Sequence, residues 1–232
     1  MGIAGLKAQL ESAFGSPIFS LPPKPEPQKI LLGIPEIDTQ FGGVPRGALT
    51  EIAGPASSGR TTLLCSILAQ ATGQGEACAL VDLSDSFDPE SATAAGIQLP
   101  RLLWIRCGTH KKNALTVTDL LLQNGGWGVI ALDLSDINPK DARRIPLSTW
   151  HRFRLAVENK PTAFVVLGQQ SYAGSCSAMT LETAAAKPRW EGLLLRGAVF
   201  ETRHRKMSGK MSGKRPGRTV ACFASATLGV GA

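Results

Sequence analysis

The chain has 232 residues, of which 43% are apolar and 19% charged, and carries a net charge of +7. That length and composition allow one sizeable α/β core with appendages and leave little room for a second large domain. No apolar run approaches the roughly 20 residues that span a bilayer, and the N-terminus MGIAGLKAQLESAFGS has no signal-peptide core, so a soluble, cytoplasmic protein is expected.

The charge is concentrated at one end. Residues 187–219 hold ten Lys/Arg and two acids, a balance of +8, which leaves −1 for the rest of the chain. Cys65, Cys78, Cys107, Cys176 and Cys222 stand singly, with no C-x-x-C spacing to suggest a metal site and no even count to suggest a disulfide framework.

In chain order, Ile3, Leu6, Leu10 and Phe14 recur at helical spacing and predict a short amphipathic helix, an N-terminal arm over residues 1–20. LPPKPEPQ follows with four prolines in eight residues, an extended linker over 21–29. The core is expected over 30–232. Gly42-Gly43 and Pro45-Arg46-Gly47 mark turns before a strand at 49–53. RTTLLCSILAQAT puts Leu63, Leu64, Ile67, Leu68 and Ala71 on one helical face. Next come a buried-type strand EACALVD, a helix opened by Asp88-Pro89, a strand at 102–106, a helix at 113–123 and the strand GVIALD. A helix broken by Pro146 runs to about Asn159, and the strand TAFVVLG covers 162–168. Such a βαβα succession predicts a mostly parallel sheet with helices on both faces. LLLRGAVFETRH and RTVACFASA, joined by KMSGKMSGKRPG with no helix between, predict an antiparallel hairpin over 193–228.

The segment Gly54-Pro55-Ala56-Ser57-Ser58-Gly59-Arg60-Thr61 lies between an apolar strand and an amphipathic helix. That is the setting of a phosphate loop, in which backbone N–H groups wrap an anion and the helix N-terminus adds its positive end. Gly54, Ser57, Ser58, Gly59, Arg60, Thr61 and Thr62 are the candidate nucleotide contacts, with Thr61 offering a hydroxyl to Mg²⁺. The usual lysine is replaced by Arg60, whose planar fork could hold phosphate or could reach outward to a carboxylate and leave the loop empty. Asp133 ends its strand where a magnesium-holding acid belongs; capping of the next turn is the alternative. Asp82, Asp85 and Asp88 crowd the end of the second strand, at the sheet edge where ligands of open α/β folds bind. Asp85 is the candidate base, and Asp88 reads as a nucleotide contact or, more simply, a helix cap.

Taken in order, FGGVPRGALTEIAGPASSGRTTL, CALVDLSDSFDP, the Asp133 strand and the glutamine after TAFVVLG (Gln169 or Gln170) resemble the RecA superfamily over residues 30–228. The resemblance implies an ATP and Mg²⁺ site. It also implies a glutamate base where this chain has Ser84, and an adenine-stacking aromatic after Asp88-Pro89 where it has Glu90 and Ser91. Arg60 is a third departure. Within the superfamily, ALTEIAG…SSGR and the run from Arg143 to Glu158 look most like the ImuA family of bacterial mutagenesis cassettes. That likeness implies a degenerate accessory protein of DNA repair and translesion synthesis. It would bind DNA and act with RecA or an ImuB-like error-prone polymerase partner, with weak or absent ATP hydrolysis. The alternative is an active DNA-stimulated ATPase or recombinase paralogue.

Arg203, Arg205, Lys206, Lys210, Lys214, Arg215 and Arg218 cluster at the hairpin among Gly and Ser, with no aromatic between 203 and 219. This composition suits salt-sensitive contact with the backbone of DNA, expected to be single-stranded, without base stacking. A solvated loop is the plainer reading. Arg143, Arg144, His151, Arg152 and Arg154 form a second basic group. In RecA-like filaments an N-terminal arm docks on the neighbouring subunit, and Phe14, Ile18 and Phe19 would anchor such a homo-oligomer here; folding back on its own domain is the other possibility.

Overall fold

The computed structural model describes residues 28–108, 110–184, 187–191, 194–207 and 218–224. The N-terminal arm, the linker up to residue 27 and the hairpin tip with its MSGK duplication lie outside the described residues.

The described chain opens with a two-residue strand β1 (Lys29–Ile30), helix α1 (Pro35–Phe41) and strand β2 (Val44–Pro45), which pairs with β1. The sequence pattern shows only turns here and does not disclose α1. This short helix begins at Pro35, and the approach to it is fixed by Asp38, whose carboxylate accepts from the N–H groups of Leu32, Gly33 and Ile34. It ends at Gly42 in the left-handed region, φ 69°, which glycine adopts without a Cβ penalty.

The main sheet is built from β3 (Ala48–Ala53), β4 (Cys78–Asp82), β5 (Leu102–Arg106), β6 (Val129–Asp133), β7 (Ala163–Gly168) and β8 (Met179–Thr183), all parallel in the order β8-β3-β7-β6-β4-β5. Beyond β8 the sheet turns antiparallel: β10 (Leu194–Met207) pairs with β8, with β11 (Arg218–Ala224) and with β9 (Lys187–Glu191). The expected parallel sheet and antiparallel hairpin are both present.

Central strands are apolar on both faces because helices cover both. One core contains Ile52, Leu80, Ala131 and Val165 under helix α2 (Arg60–Gly73) and α3 (Pro89–Ala94). The other contains Leu49, Val81, Ile130, Leu132 and Phe164. Helices α4 (Lys111–Asn124) and α6 (Leu147–Val157) cover that second face, and Trp150, Phe153 and Phe164 meet edge to face at ring distances of 6.0 and 5.7 Å. Between β6 and α6 lies the five-residue α5 (Pro139–Arg143), and Pro146 separates the two helices, as its missing N–H dictates.

Candidate functional site

The carboxyl ends of β3, β7, β6 and β4 share one edge, and the candidate residues gather along it. Ala53 is in register with Gly168, and Asp82 with Asp133. The strand-to-helix loop after β3 carries Ser57 at φ 56° and Gly59 at φ 85°, so two left-handed residues curl successive N–H groups inward, the conformation of an anion nest. The N–H groups of Arg60, Thr61 and Thr62 precede the first bond of the fourteen-residue α2, from Leu63 N to the Gly59 carbonyl at 2.9 Å, and so have no acceptor within the helix.

Thr183, at the end of β8, fixes this loop from the side. Its hydroxyl lies 2.6 Å from that of Ser58 in a buried pair and 3.3 Å from the Ala53 carbonyl. A Cβ on Gly54 would collide with Thr183 Oγ1 and with its carbonyl oxygen, so glycine is required there by packing. Strand β8 and Thr183 are not among the features that the sequence pattern signals; only the alternation of Met179 and Leu181 hints at a strand.

Arg60 does not reach outward. Its side chain is 7% exposed, and Nη1 is buried without a hydrogen-bond partner. Thr61 is exposed at the loop and Thr62 half-buried. Asp133 is buried, and burial raises its pKa above the ordinary carboxylate value; the hydrogen bond from Ser135 N–H, 2.8 Å, works against that shift, and the charges of Asp82 and Asp136 add to it. The Asp133 charge is felt at Cys65, one turn along α2 from Thr61, whose thiol burial first and this carboxylate second push up to about 11. The nest, the buried unpaired guanidinium and this carboxylate form a donor set that fits a nucleotide phosphate with Mg²⁺.

The three acids after β4 are each engaged. Asp82 accepts from Ser84 N (3.0 Å), Asp85 N (2.9 Å), Phe87 N (3.1 Å) and Trp104 Nε1 (3.2 Å), with no exposed surface. Asp85, at φ 56°, forms a two-pronged ion pair with Arg106; the Arg106 hydrogen bond holds its carboxyl below the usual range. Asp88 caps α3, accepting from Glu90 N (3.2 Å) and Ser91 N (3.1 Å). Ser84, by contrast, has a buried hydroxyl without a partner and lines an open groove of about 540 Å³ with Leu83, Gly108, Asp136, Ile137, Asn138 and Asp141. This groove lies over the ends of β4, β5 and β6.

Gln169 donates through Nε2 to the Ser135 carbonyl at 3.0 Å, and Gln170 accepts from Arg143 at 2.7 Å. Glu51, a buried strand acid that carries no motif in the sequence, accepts from Ser171 Oγ (2.7 Å), Tyr172 N (2.6 Å) and Ala173 N (2.8 Å) and so fixes the turn after β7. Of the basic hairpin residues, Arg203, Arg205 and Lys206 lie on β10 and Arg218 begins β11, while Lys210, Lys214 and Arg215 lie outside the described residues. Arg203 is in register with Arg218. In the second basic group, Arg152 pairs with Asp119 and Arg144 with Asp141, each at 3.1 Å.

A parallel sheet of this order, with a glycine-containing strand-to-helix loop at its carboxyl edge, has the architecture of a P-loop α/β protein. Residues 28–142 match the family model of the RecA N-terminal domain. Protein RecA of Pseudomonas fluorescens (strain SBW25) is 41% identical over 98 residues, 42% of this chain and 28% of that protein. Protein RecA of Rickettsia canadensis (strain McKiel) is 33% identical over 136 residues, 56% of this chain and 39% of that one. The matched segments thus span well under half of these curated relatives' length. A crystal structure of the RadB recombinase superposes with a TM-score of 0.61 at 17% identity, covering 84% of this chain and 95% of that chain, a likeness of fold. Over residues 28–142, then, the chain is similar to the RecA N-terminal domain.

Proposed function

We propose that this chain is a RecA-fold accessory protein of DNA repair that holds nucleotide phosphate in its loop and contacts DNA, with little or no hydrolysis. One observation carries the reading: the position of the expected base is Ser84, and the three acids around it in the sequence are occupied, Asp82 by four donors, Asp85 by Arg106 and Asp88 by the α3 cap. A serine cannot take a proton from water at neutral pH, and loss of a general base removes about 10²–10⁴ in rate. Mg²⁺, where bound with ATP, would be held by Thr61 and Asp133 and would neutralise phosphate charge.

The hairpin supports a polyanion partner. Arg203, Arg205 and Lys206 stand on β10 and Arg218 opens β11, in register with Arg203, so the strands bring basic positions together, a composition that suits a phosphate backbone. The finer role in translesion synthesis, with RecA or an ImuB-like polymerase as partner, rests on the resemblance of the segments named above. Self-assembly through the N-terminal arm has a receptive surface in β5, a sheet edge on which Leu103 is 45% exposed.

ATP turnover with and without single-stranded DNA tests the reading. It expects slow turnover that DNA does not stimulate. Brisk, DNA-stimulated turnover abolished by Asp133→Ala would overturn it in favour of an active paralogue.

A further inference from the structure

Helix α6 turns Trp150, Phe153 and Val157 into the core, and its opposite side carries leucine where a solvent-facing helix carries polar residues. Leu147 and Leu155, eight residues apart on that side, are 59% and 53% exposed, and Leu120 on the neighbouring α4 is 54% exposed. Half of the six large hydrophobic side chains exposed among the described residues therefore stand on this one pair of helices. Helices α2 and α3, on the other face of the sheet, contribute none of the six. The pair is held side by side by the Arg152–Asp119 ion pair at 3.1 Å and by Lys160, whose ammonium donates to the carbonyls of Leu122 and Gln123.

The described chain begins beside this surface. The Gln28 carbonyl accepts from Arg46 N at 2.8 Å, the Arg46 guanidinium donates to the Pro161 carbonyl at 2.7 Å, and Gly47 N donates to the Thr162 carbonyl at 2.8 Å. Pro161 and Thr162 lie in the turn that leaves α6 for β7, and Lys160 of the same turn holds the end of α4. Residues 1–27 therefore join the domain where α4 and α6 both end. The proline-rich residues 21–27, extended at about 3.1 Å each, reach about 22 Å. Helix α6, with 11 residues, is about 16 Å long. Ahead of the linker, Ile3, Leu6, Leu10 and Phe14 recur at helical spacing over a stretch that is about 18 Å long as a helix. The segment has the reach, the length and the apolar stripe to lie along α6. A tethered segment meets its site at an effective concentration of about millimolar, so contact with a few leucines is enough to keep it in place.

We propose that residues 1–20 dock as an amphipathic helix on the exposed leucine face of their own chain, covering Leu147 and Leu155 of α6. The contact is made within one chain. Held there, the segment is withheld from the sheet edge at β5, so self-assembly through it requires its release.

Photo-crosslinking of the full chain tests this. Ala13, beside the apolar stripe, is replaced by the photoreactive p-benzoylphenylalanine; isotopically light and heavy chains are mixed and irradiated, and the joined peptides are identified by mass spectrometry. Residue 13 should join residues of α6 or α4, in light–light and heavy–heavy pairs only. Changing both leucines, Leu147→Gln with Leu155→Gln, should cut that yield by about fivefold or more, because the apolar surface that the segment covers is gone. Both side chains are exposed, and thermal melting confirms that the variant folds. Mixed light–heavy pairs, which mean that a second copy supplies the segment, overturn the proposal. So do joins to β5 or to any other element, a yield that the double variant leaves unchanged, and the absence of any join.

Discussion

Replacing Asp82 by asparagine separates a structural acid from a catalytic one. The carboxylate has no exposed surface; Oδ1 accepts from Ser84 N and Asp85 N, and Oδ2 from Phe87 N and Trp104 Nε1. In Asp82→Asn the amide oxygen can keep the first pair. The amide nitrogen then faces two donors it cannot accept from, and two buried N–H groups lose their partner. At about 1.5 kcal/mol for each donor left unsatisfied, the variant should lose about 3 kcal/mol. For a domain of this size that is a fall in Tm of roughly 6–12 °C. Urea unfolding followed by circular dichroism gives the free energy, and calorimetry the Tm. A loss below about 0.5 kcal/mol, together with altered nucleotide turnover, would refute the reasoning, because it would mean that Asp82 is available for chemistry.

Three further outcomes follow from the same geometry. Asp133 has a raised pKa in the folded protein, so as pH rises the unfolded chain ionises first and ionisation opposes folding; Asp133→Asn should therefore be more stable than wild type at pH 7 without Mg²⁺, a gain that disappears near pH 3, as urea midpoints at the two pH values would record. Thr183→Val removes the buried partner of Ser58 Oγ and should cost about 1–2 kcal/mol in the same unfolding assay, with weaker nucleotide binding by titration because the loop loses its lateral anchor. Changing Arg203, Arg205 and Lys206 together to serine should weaken single-stranded DNA binding and flatten the plot of log affinity against log salt by about 0.7 for each phosphate no longer neutralised, read by fluorescence anisotropy.

What the sequence disclosed was whatever is local. The strand, loop and helix of the candidate phosphate site follow from apolar periodicity and from two glycines within an eight-residue motif, and the structure has β3, the left-handed Gly59 and α2 in those places. The strands ending at Asp82, Asp133 and Gly168 are equally legible, since a strand covered on both faces must be a continuous apolar run. The Asp88 cap is readable because its partners are two and three residues away.

The unread features depend on distant partners. Thr183 bonds Ser58 across 125 positions, and Glu51 bonds the Ser171–Ala173 turn across 120 to 122, so neither role leaves a local pattern. Strand β8 is short and threonine-rich, and its place beside β3 is a matter of topology. Asp85 has the look of a displaced base in the sequence, and only the fold brings Arg106, 21 residues on and in the adjacent strand, to hold it. Arg60 is the residue about which sequence and structure differ most in content. Its identity leaves two directions open, and its burial with an unpaired Nη1 excludes the outward one.

The central claim is that the loop holds a nucleotide which the chain does not turn over. Incubating the purified protein with ATP, Mg²⁺ and single-stranded DNA, then separating the bound nucleotide and identifying it by chromatography, tests both halves at once. Intact ATP at close to one per chain is the predicted result. Recovery of ADP, or of a protein free of nucleotide, would contradict the account.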